Sequence, residues 1–230
     1  MIGILGAMDI ELEALLRDMT EKQSERIGGF TFHKGRIEGR AVVLAKCGIG
    51  KVAAAICAQT MILTYRPALL LHTGVAGTLT TDLSVTDVAV ATEALQHDMD
   101  TSPLGDPVGL ISGINKIYFE ADKSAAELLL AIAREEGARA LGGRIASGDQ
   151  FIASAEQKAR IVSAFGAIAC EMEGGAVAHV AYLNATPFAI LRAISDSADG
   201  SSHMDYPTFL GLAAERSYKI VKKFLERYEG

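Results

Sequence analysis

Short apolar runs alternate with longer amphipathic segments along this chain of 230 residues. A run of about four to eight apolar residues bounded by glycine or polar residues predicts a buried strand, and apolar residues repeating at helical spacing predict a helix. Strands are predicted at residues 1–6, 30–37, 40–46, 68–71, 85–93, 140–146, 167–170 and 188–194. Helices are predicted after residue 6 and at residues 52–63, 123–136, 155–165, 176–183 and 206–228.

The alternation of strands and helices predicts the fold class. It is typical of an α/β protein with a twisted, mostly parallel sheet and helices on both faces. Residues 30–37 and 40–46 flank Glu38 and Gly39 and are predicted to pair as a hairpin. Neither a repeat nor a linker interrupts the pattern, so we expect one domain over residues 1–230.

Residues 167–175 carry the strongest functional signal. A short apolar strand ends in Glu171, Met172 and Glu173, and two glycines then lead into a helix. An unpaired buried carboxylate costs several kcal/mol or takes a shifted pKa, so two acids here need partners. At the carboxyl edge of an open α/β sheet the partner is typically a ligand. The alternative is that both glutamates form salt bridges at the surface, which we would favour for one acid alone.

Other predicted strands bring further candidate groups to the same edge. Residues 73–77 (TGVAG) are predicted to form a glycine-rich turn after the strand at 68–71. The remaining groups are Glu11, Phe151 with Ile152, and Ser195 with Asp196. These groups include several carboxylates, an aromatic ring and a methionine, and no basic cluster stands at the glycine-rich turns. Such a site suits an uncharged ligand that has hydroxyl groups and an aromatic part. A nucleoside has this chemistry.

Two motifs suggest other ligands, and we favour neither interpretation. Residues 48–51 (GIGK) follow a strand and begin a helix, but the spacing of a phosphate-binding loop is absent. The two glycines more simply allow close approach of the backbone to a ligand or to the helix. Residues 97–100 (HDMD) lie on a polar loop at 96–113, and one histidine with two acids is weak evidence for a metal.

The composition of the chain argues against nucleic-acid partners and against a membrane protein. The net charge of −6 argues against a nucleic acid, whose partners usually carry a basic face. No apolar run approaches the roughly 18 residues of a membrane helix, and the N-terminus lacks the basic region of a signal peptide. Cys47, Cys57 and Cys170 lie in apolar surroundings and are interpreted as reduced core residues, so we expect a cytoplasmic protein. Of the three, only Cys170 is placed for catalysis.

Six stretches along nearly the whole chain match one family. They are residues 2–11, 46–54, 73–77, 147–152, 171–173 and 192–199. In these stretches the chain resembles the methylthioadenosine/S-adenosylhomocysteine nucleosidases of the nucleoside phosphorylase superfamily. The resemblance implies a three-layer α/β/α fold with a mixed sheet, a homodimer, and hydrolysis that releases adenine from methylthioadenosine or S-adenosylhomocysteine, with 5′-deoxyadenosine as a further candidate. It implies neither a metal nor an organic cofactor.

The resemblance also implies catalytic roles. Asp196, supported by Ser195, matches the acid that protonates ring nitrogen seven of adenine, and Glu11 matches the group that orients and deprotonates water. Met172 and Glu173 match positions that bind the ribose hydroxyls.

Further matched positions are contacts around the ligand. Phe151 and Ile152 match residues that hold adenine, and Met8 and Ile49 match apolar contacts with the sugar and thioether. Tyr206 matches an aromatic residue that is usually phenylalanine. Two other groups complete the set, namely Gly77 among the substrate-binding residues and Glu171 with Arg192 as a structural ion pair beneath the site.

The chemistry supports this assignment independently. Cleavage of a ribosyl–nitrogen bond passes through an oxocarbenium-like state, and an acid and a water activator each contribute roughly 10²–10⁴-fold. The acid Asp196 must be protonated near neutral pH, so burial has to raise its pKa above about 3.9. Glu11 must remain ionised, which makes a pair of acids in opposite states.

Two positions depart from the family pattern. Val75 replaces a usual serine in the glycine-rich stretch, and Leu104 stands where an aromatic residue is common. Leu104 belongs to the 96–113 loop, which we expect to contact the 5′ substituent in the site of the partner subunit. The preferred 5′ substituent is therefore open.

Three alternatives remain. The first is phosphorolysis, which needs cationic groups for phosphate and is disfavoured because Glu11 would repel that anion. The second is hydrolysis of an aminofutalosine-type nucleoside. The third is a non-catalytic sensor of adenine nucleosides, against which the joint presence of Glu11, Glu173 and Asp196 argues.

Overall fold

The computed structural model describes residues 1–198 and 202–229, which form a ten-stranded sheet and six α-helices. The strands are β1 (Ile2–Gly6), β2 (Thr20–Ile27), β3 (Phe30–Ile37), β4 (Arg40–Lys46), β5 (Leu69–Thr78), β6 (Val88–Gln96), β7 (Phe119–Glu120), β8 (Ala140–Ser147), β9 (Ala169–Glu171) and β10 (Phe188–Asp196). The helices are α1 (Asp9–Asp18), α2 (Lys51–Tyr65), α3 (Lys123–Glu135), α4 (Ala155–Phe165), α5 (Gly174–Leu183) and α6 (Ser202–Arg227).

The sheet is mixed and closes on itself at one end. Strand β5 pairs in parallel with β10 and antiparallel with β9, β9 and β6 both pair in parallel with β8, and β6 pairs antiparallel with β10. These five strands complete a ring, which removes the free edges they would otherwise expose. From β5 the sheet continues through β1, β4, β3 and β2. The predicted α/β class and the predicted hairpin of β3 and β4 are confirmed.

Alternate residues of the central strands face opposite layers of helices. Leu69 and Leu71 of β5 belong to an apolar cluster with α1, α3 and α6, whereas Leu70 belongs to a cluster with α2 and α5. This is the period-two alternation of a strand, with both faces buried. The three-layer α/β/α arrangement implied by the resemblance is therefore confirmed.

The glycine-rich stretch at residues 73–77 lies inside a strand, so its prediction as a turn was wrong. Strand β5 runs to Thr78 and is buried throughout. The glycines are required by close approach, because a Cβ on Gly74 would collide with the side chains of Glu11 and Arg192. A glycine within a strand often marks such an approach, and here it leaves the ladder with β10 intact.

Strands β2 and β7 were not predicted from the sequence, and strand β6 begins at a different residue from the one predicted. Strand β2 is almost entirely exposed and polar, and it pairs only with β3, so it has no alternation to reveal it. Strand β7 has two residues. Strand β6 begins at Val88 rather than at residue 85, because Thr86 takes a φ of 74° in the turn that precedes it. Within the described residues, no helix has both the length and the apolar character needed to cross a bilayer.

Candidate active site

A cavity of about 320 Å³ lies at the carboxyl ends of β1, β5, β9 and β10. The structure brings to it every site residue named from the sequence: Met8, Glu11, Ile49, Gly77, Phe151, Ile152, Met172, Glu173, Ser195, Asp196 and Tyr206. Asp199, the last residue of the matched 192–199 stretch, lies outside the described residues. The strand ends thus converge as the sequence pattern indicated, while the roles of the individual residues stay predictions.

Glu11 is held at the cavity by three backbone N–H groups. Its Oε2 accepts hydrogen bonds from Ala7 at 2.7 Å and Met8 at 2.9 Å, and its Oε1 accepts one from Val75 at 3.1 Å. Burial raises the pKa of Glu11, while the charge of Arg192 and the three N–H groups act in the opposite direction. A carboxylate with a raised pKa and a fixed orientation is suited to taking a proton from water.

Asp196 ends β10 next to an irregularity in the ladder. The pairing of β10 with β5 shifts between Ile194 and Asp196, and such a bulge redirects side chains. Asp196 is 3% exposed, and its Oδ1 accepts a hydrogen bond from the N–H of Ala198 at 2.9 Å. The hydroxyl of Ser195 lies 3.0 Å from its Oδ2 and can donate to it. The carboxyl is therefore buried and oriented, as a proton donor in this cavity would need to be.

Glu173 lies at the start of α5, where its side chain joins two segments. Its Oε1 accepts a hydrogen bond from the N–H of Gly50 at 3.0 Å, and its Oε2 lies 3.6 Å from an Nη atom of Arg192. Burial and the charge of Glu171 raise the pKa of Glu173 to about 7, against the opposing charge of Arg192. Near neutral pH this carboxyl can either donate a hydrogen bond to a ligand hydroxyl or accept one.

Arg192 and Glu171 form the buried ion pair that the resemblance implied, so that prediction is confirmed. Glu171 also accepts hydrogen bonds from the N–H groups of Glu173 and Gly174. Arg192 donates a hydrogen bond to Nδ1 of His72 at 2.8 Å, which the sequence did not single out. Burial lowers the pKa of His72 well below its ordinary value, and the charge of Arg192 adds to this effect.

Aromatic and apolar side chains line the other parts of the cavity. The rings of Phe151 and Tyr206 meet edge to face with centroids 5.5 Å apart. The hydroxyl of Tyr206 lies 3.3 Å from Sδ of Met8. Phe151 and Ile49 are largely exposed, whereas Ile152 is buried. A flat ring can stack here, and thioether and aliphatic groups are offered to a less polar part of the ligand.

The cavity carries more acids than bases. Among the described residues lining it, Arg192 is the only lysine or arginine. Its guanidinium is already engaged with Glu171, Glu173 and His72. An anionic ligand group would therefore meet carboxylates without a free cation, whereas a neutral ligand would not be repelled.

Cys170 lines the cavity but is a poor candidate nucleophile. Its thiol is free and buried, and burial raises its pKa, with the charges of Asp196 and Glu171 adding to the increase. Because the thiolate is the reactive form, such a thiol is unreactive. Cys47 and Cys57 are also free and buried, as the sequence indicated.

The 96–113 loop does not contribute to this cavity. Leu104 lies in a short 3₁₀ helix, Ser102–Leu104, and is 84% exposed. In the described part of the chain no cluster of three or more metal-ligating side chains occurs. Asp98, within the candidate metal motif, instead forms an ion pair with Lys51 of the rejected phosphate-loop motif.

Comparisons with known proteins agree with the fold. The family model of the phosphorylase superfamily matches residues 1–226. The chain is 38% identical over 229 residues to the 5′-methylthioadenosine/S-adenosylhomocysteine nucleosidase of Actinobacillus succinogenes, with 99% of each chain covered. It is 39% identical over 226 residues to the aminodeoxyfutalosine nucleosidase of Helicobacter pylori, with 98% of each chain covered.

A solved structure of a relative has the same fold. The 5′-methylthioadenosine/S-adenosylhomocysteine nucleosidase of Neisseria meningitidis, in complex with methylthio-immucillin-A, matches with a TM-score of 0.94 at 35% identity, and 99% of both chains is covered. The similarity therefore extends over the whole fold.

Proposed function

This chain belongs to the phosphorylase superfamily, and we propose that it hydrolyses the N-ribosidic bond of 5′-methylthioadenosine and S-adenosylhomocysteine and releases adenine. The observation that carries the proposal is one cavity lined by Glu11, Glu173 and Asp196 together with an aromatic wall. Three acids without a free cation suit a neutral nucleoside, and 5′-deoxyadenosine has the same base and ribose hydroxyls.

Asp196 is proposed as the general acid on the base side. Adenine anion is a poor leaving group, so a proton delivered to ring nitrogen seven lowers the barrier to cleavage. The burial of Asp196 and its contacts with Ser195 and Ala198 support this role, because they hold the carboxyl in one orientation. Electrons of the ribosyl–nitrogen bond leave with the base, and the ribosyl group becomes oxocarbenium-like.

Glu11 is proposed as the group that orients and deprotonates the attacking water. Three N–H donors fix its carboxylate, and its raised pKa strengthens it as a base. The water oxygen then bonds to the anomeric carbon while its proton passes to Glu11. The products are adenine and the free 5′-substituted ribose.

The remaining residues of the cavity are proposed to bind the substrate. Glu173 and Met172 would contact the ribose hydroxyls, and Phe151 and Ile152 would hold adenine. Met8 and Ile49 would make apolar contacts with the sugar and the thioether, and Gly77 and Tyr206 would complete the set of substrate-binding residues.

Hydrolysis is favoured over phosphorolysis by the charge of the cavity. Phosphate would need at least one free cation near the sugar, but Arg192 is engaged by Glu171 and Glu173. Glu11 adds a further negative charge at the position proposed for the nucleophile. Water is neutral and pays no such electrostatic penalty.

An aminodeoxyfutalosine-type nucleoside is a second candidate substrate. The relative from Helicobacter pylori that carries this name is 39% identical, which is no lower than the identity to the relative from Actinobacillus succinogenes. Both substrate classes share the N-ribosidic bond and differ at the 5′ end. The choice between them therefore depends on the residues that surround that end.

A homodimer is part of the proposal, with the 96–113 loop reaching the site of the partner subunit. Exposed apolar side chains support it: Leu104 is exposed and does not line the cavity of its own chain. The packed helices α2 and α5 also expose apolar side chains, namely Val52, Ile56 and Leu63 of α2 and Tyr182 and Leu183 of α5. Exposed apolar surface of this kind marks an interaction site. We also propose that residues 1–230 act as a single domain in the cytoplasm.

Adenine release in phosphate-free buffer tests the function. The purified protein is incubated with 5′-methylthioadenosine, S-adenosylhomocysteine and aminodeoxyfutalosine in parallel, and adenine is quantified by chromatography. We expect turnover without phosphate and no sugar phosphate when phosphate is added. A strict requirement for phosphate would indicate phosphorolysis, and tight binding of methylthioadenosine without turnover would indicate a sensor.

A further inference from the structure

The motif at residues 48–51 and the motif at residues 97–100 contact each other in the structure. The Nζ atom of Lys51 lies 2.5 Å from Oδ1 of Asp98. The Oδ2 of Asp98 accepts a hydrogen bond from the N–H of Asp149 at 2.9 Å, and Oδ1 of Asp149 accepts one from the N–H of Lys51 at 2.7 Å. Lys51, Asp98 and Asp149 thus form a closed ring of contacts, which we call the 51–98–149 clamp.

Within the clamp, Asp149 is exposed, whereas the Lys51–Asp98 pair is better shielded than an ordinary surface ion pair. The side chains of Lys51 and Asp98 are 17% and 20% exposed. Water and salt screen such a pair less than a fully exposed one, and both oxygens of Asp98 have a donor. The clamp joins the start of α2 to the segments that follow β6 and β8, which are distant in the sequence.

Lys51 and Asp149 of the clamp directly adjoin, along the chain, residues of two walls of the cavity. On one side Lys51 is preceded by Gly50, whose N–H holds Glu173, and by Ile49, which lines the cavity. Gly50 has a φ of 97°, which favours glycine, and a Cβ there would lie 3.1 Å from Oδ1 of Asp149, so the backbone approaches the clamp closely.

On the other side the clamp supports the proposed adenine wall. Asp149 is followed by Gln150, Phe151 and Ile152, all of which line the cavity. The segment at residues 148–152 is also attached to β9, because the N–H of Gly148 donates a hydrogen bond to the carbonyl of Glu171 at 3.1 Å. A shift of Asp149 would therefore move the residues proposed to hold the base.

We propose that Lys51, Asp98 and Asp149 are positioning residues that set the separation between the wall with Ile49 and Glu173 and the wall with Phe151 and Ile152. This inference rests on the proposed function, since those walls are the ones assigned to the sugar and the base. The clamp acts on substrate binding through the residues it carries and does not itself contact the substrate.

The clamp should affect binding more than the chemical step. Glu11 is held by N–H groups of Ala7, Met8 and Val75, and Asp196 is held by Ser195 and Ala198. Those contacts come from segments that carry no clamp residue. Loosening the clamp therefore raises KM, because ground state and transition state both lose contacts with base and sugar, while kcat changes little.

A second ion-pair cluster supplies a matched control away from the cavity. Lys222 lies 2.6 Å from Asp18 and 3.2 Å from Glu38, so it also joins three segments. The Asp18 side chain is 21% exposed, close to the value for Asp98. None of these three residues lines the cavity. Asp18→Asn therefore removes a carboxylate charge from a similarly exposed ion pair without reaching the walls.

The kinetic experiment compares wild type, Asp98→Asn, Lys51→Met, the double variant and Asp18→Asn on methylthioadenosine, with the Tm of each. We expect Asp98→Asn and Lys51→Met each to raise KM about tenfold with kcat within about threefold of wild type. The double variant should be no worse than the worse single variant, because both belong to one clamp. Asp18→Asn should keep the wild-type KM. An unchanged KM in Asp98→Asn, an equal rise in Asp18→Asn, or fully additive losses would overturn the proposal.

Amide hydrogen exchange tests the clamp without relying on activity. Peptides covering residues 48–53 and 147–152 should exchange faster in Asp98→Asn than in wild type, and at the wild-type rate in Asp18→Asn. Wild-type exchange in both variants would contradict the clamp. If wild-type protein released no adenine while the exchange difference was present, the proposed function would fail and the clamp would stand as a device that orders the cavity.

Discussion

The Oδ1 atom of Asp196 lies over Gly77, so close that a Cβ on Gly77 would be 2.7 Å away. The two residues are register partners in the parallel pairing of β10 with β5. Because Gly77 has no side chain, the carboxyl group of Asp196 on the neighbouring strand β10 can occupy the space above it. The observed position of the Asp196 carboxyl group therefore requires glycine at residue 77.

Gly77→Ala should displace Asp196 and reduce turnover. Real Cβ atoms essentially never approach an oxygen this closely, so either the carboxyl or β5 must move. We expect kcat for methylthioadenosine to fall by at least about tenfold, since a misplaced catalytic group loses its alignment. Gly211→Ala on α6 is the control, because no heavy atom lies within 4 Å of the added Cβ there. Equal activity of the two variants would contradict the steric argument.

Asp196→Asn should abolish turnover while the protein stays folded. Asparagine can still accept the hydrogen bond from the N–H of Ala198, but it cannot deliver a proton to adenine. We expect kcat to fall about 10²-fold or more, with the Tm near that of wild type and binding of methylthioadenosine retained. Steady-state kinetics, thermal unfolding and calorimetric titration together check this. Wild-type rates in the variant would refute the role of Asp196 as general acid.

Glu11→Gln should also remove turnover, and it should reduce stability as well. The amide cannot take a proton from water, and its NH₂ group would face one of the N–H donors of Ala7, Met8 or Val75. We expect kcat to fall by roughly 10²–10⁴-fold. Glu13→Gln is the matched control, since Glu13 lies exposed on the same helix. If Glu13→Gln lost as much activity as Glu11→Gln, the assignment would be wrong.

Glu173 should make the stability of the ligand-free protein depend on pH. Burial and Glu171 raise the pKa of Glu173 in the folded protein to about 7, from 4.5. The folded state thus binds this proton more tightly than the unfolded chain, so its contribution is present below about pH 4.5 and is lost as pH rises through about 7. Glu173→Gln removes this dependence, because glutamine stays neutral throughout.

Thermal unfolding at several pH values checks the effect of Glu173. The difference in Tm between Glu173→Gln and wild type should grow in favour of the variant as pH rises from about 5 to about 8. Glu11, whose pKa is also raised, is present in both proteins, and its charge is one of the groups that raise the pKa of Glu173. A difference that stays constant across this range would argue against a raised pKa at Glu173.

The sequence indicated the candidate residues well because of where they stand along the chain. Glu11, Glu173 and Asp196 each follow an apolar strand, and the carboxyl ends of such strands meet at one edge of an α/β sheet. The resemblance then added residues such as Met8 and Tyr206, which periodicity alone does not distinguish from core positions. All of them line the cavity.

The local sequence patterns gave the wrong structure for the glycines at residues 73–77 and did not predict the polar edge strand β2. Glycine at residues 73–77 was interpreted as a turn signal, yet Gly74 and Gly77 lie in a strand and make room for acids from other segments. Strand β2 owes its conformation to pairing with β3 and carries almost no apolar face of its own. In both cases the deciding partner lies elsewhere in the chain.

The sequence by itself determined the α/β class, the order of most elements and the set of side chains at the strand ends, because burial leaves a periodic record in neighbouring residues. Only the tertiary structure decided the ring closed by β5 and β10, the bulge before Asp196 and the pairing of Lys51 with Asp98. Those features depend on contacts between segments far apart along the chain. Such contacts are set by how the layers pack, and no local pattern of hydrophobic and polar residues encodes them.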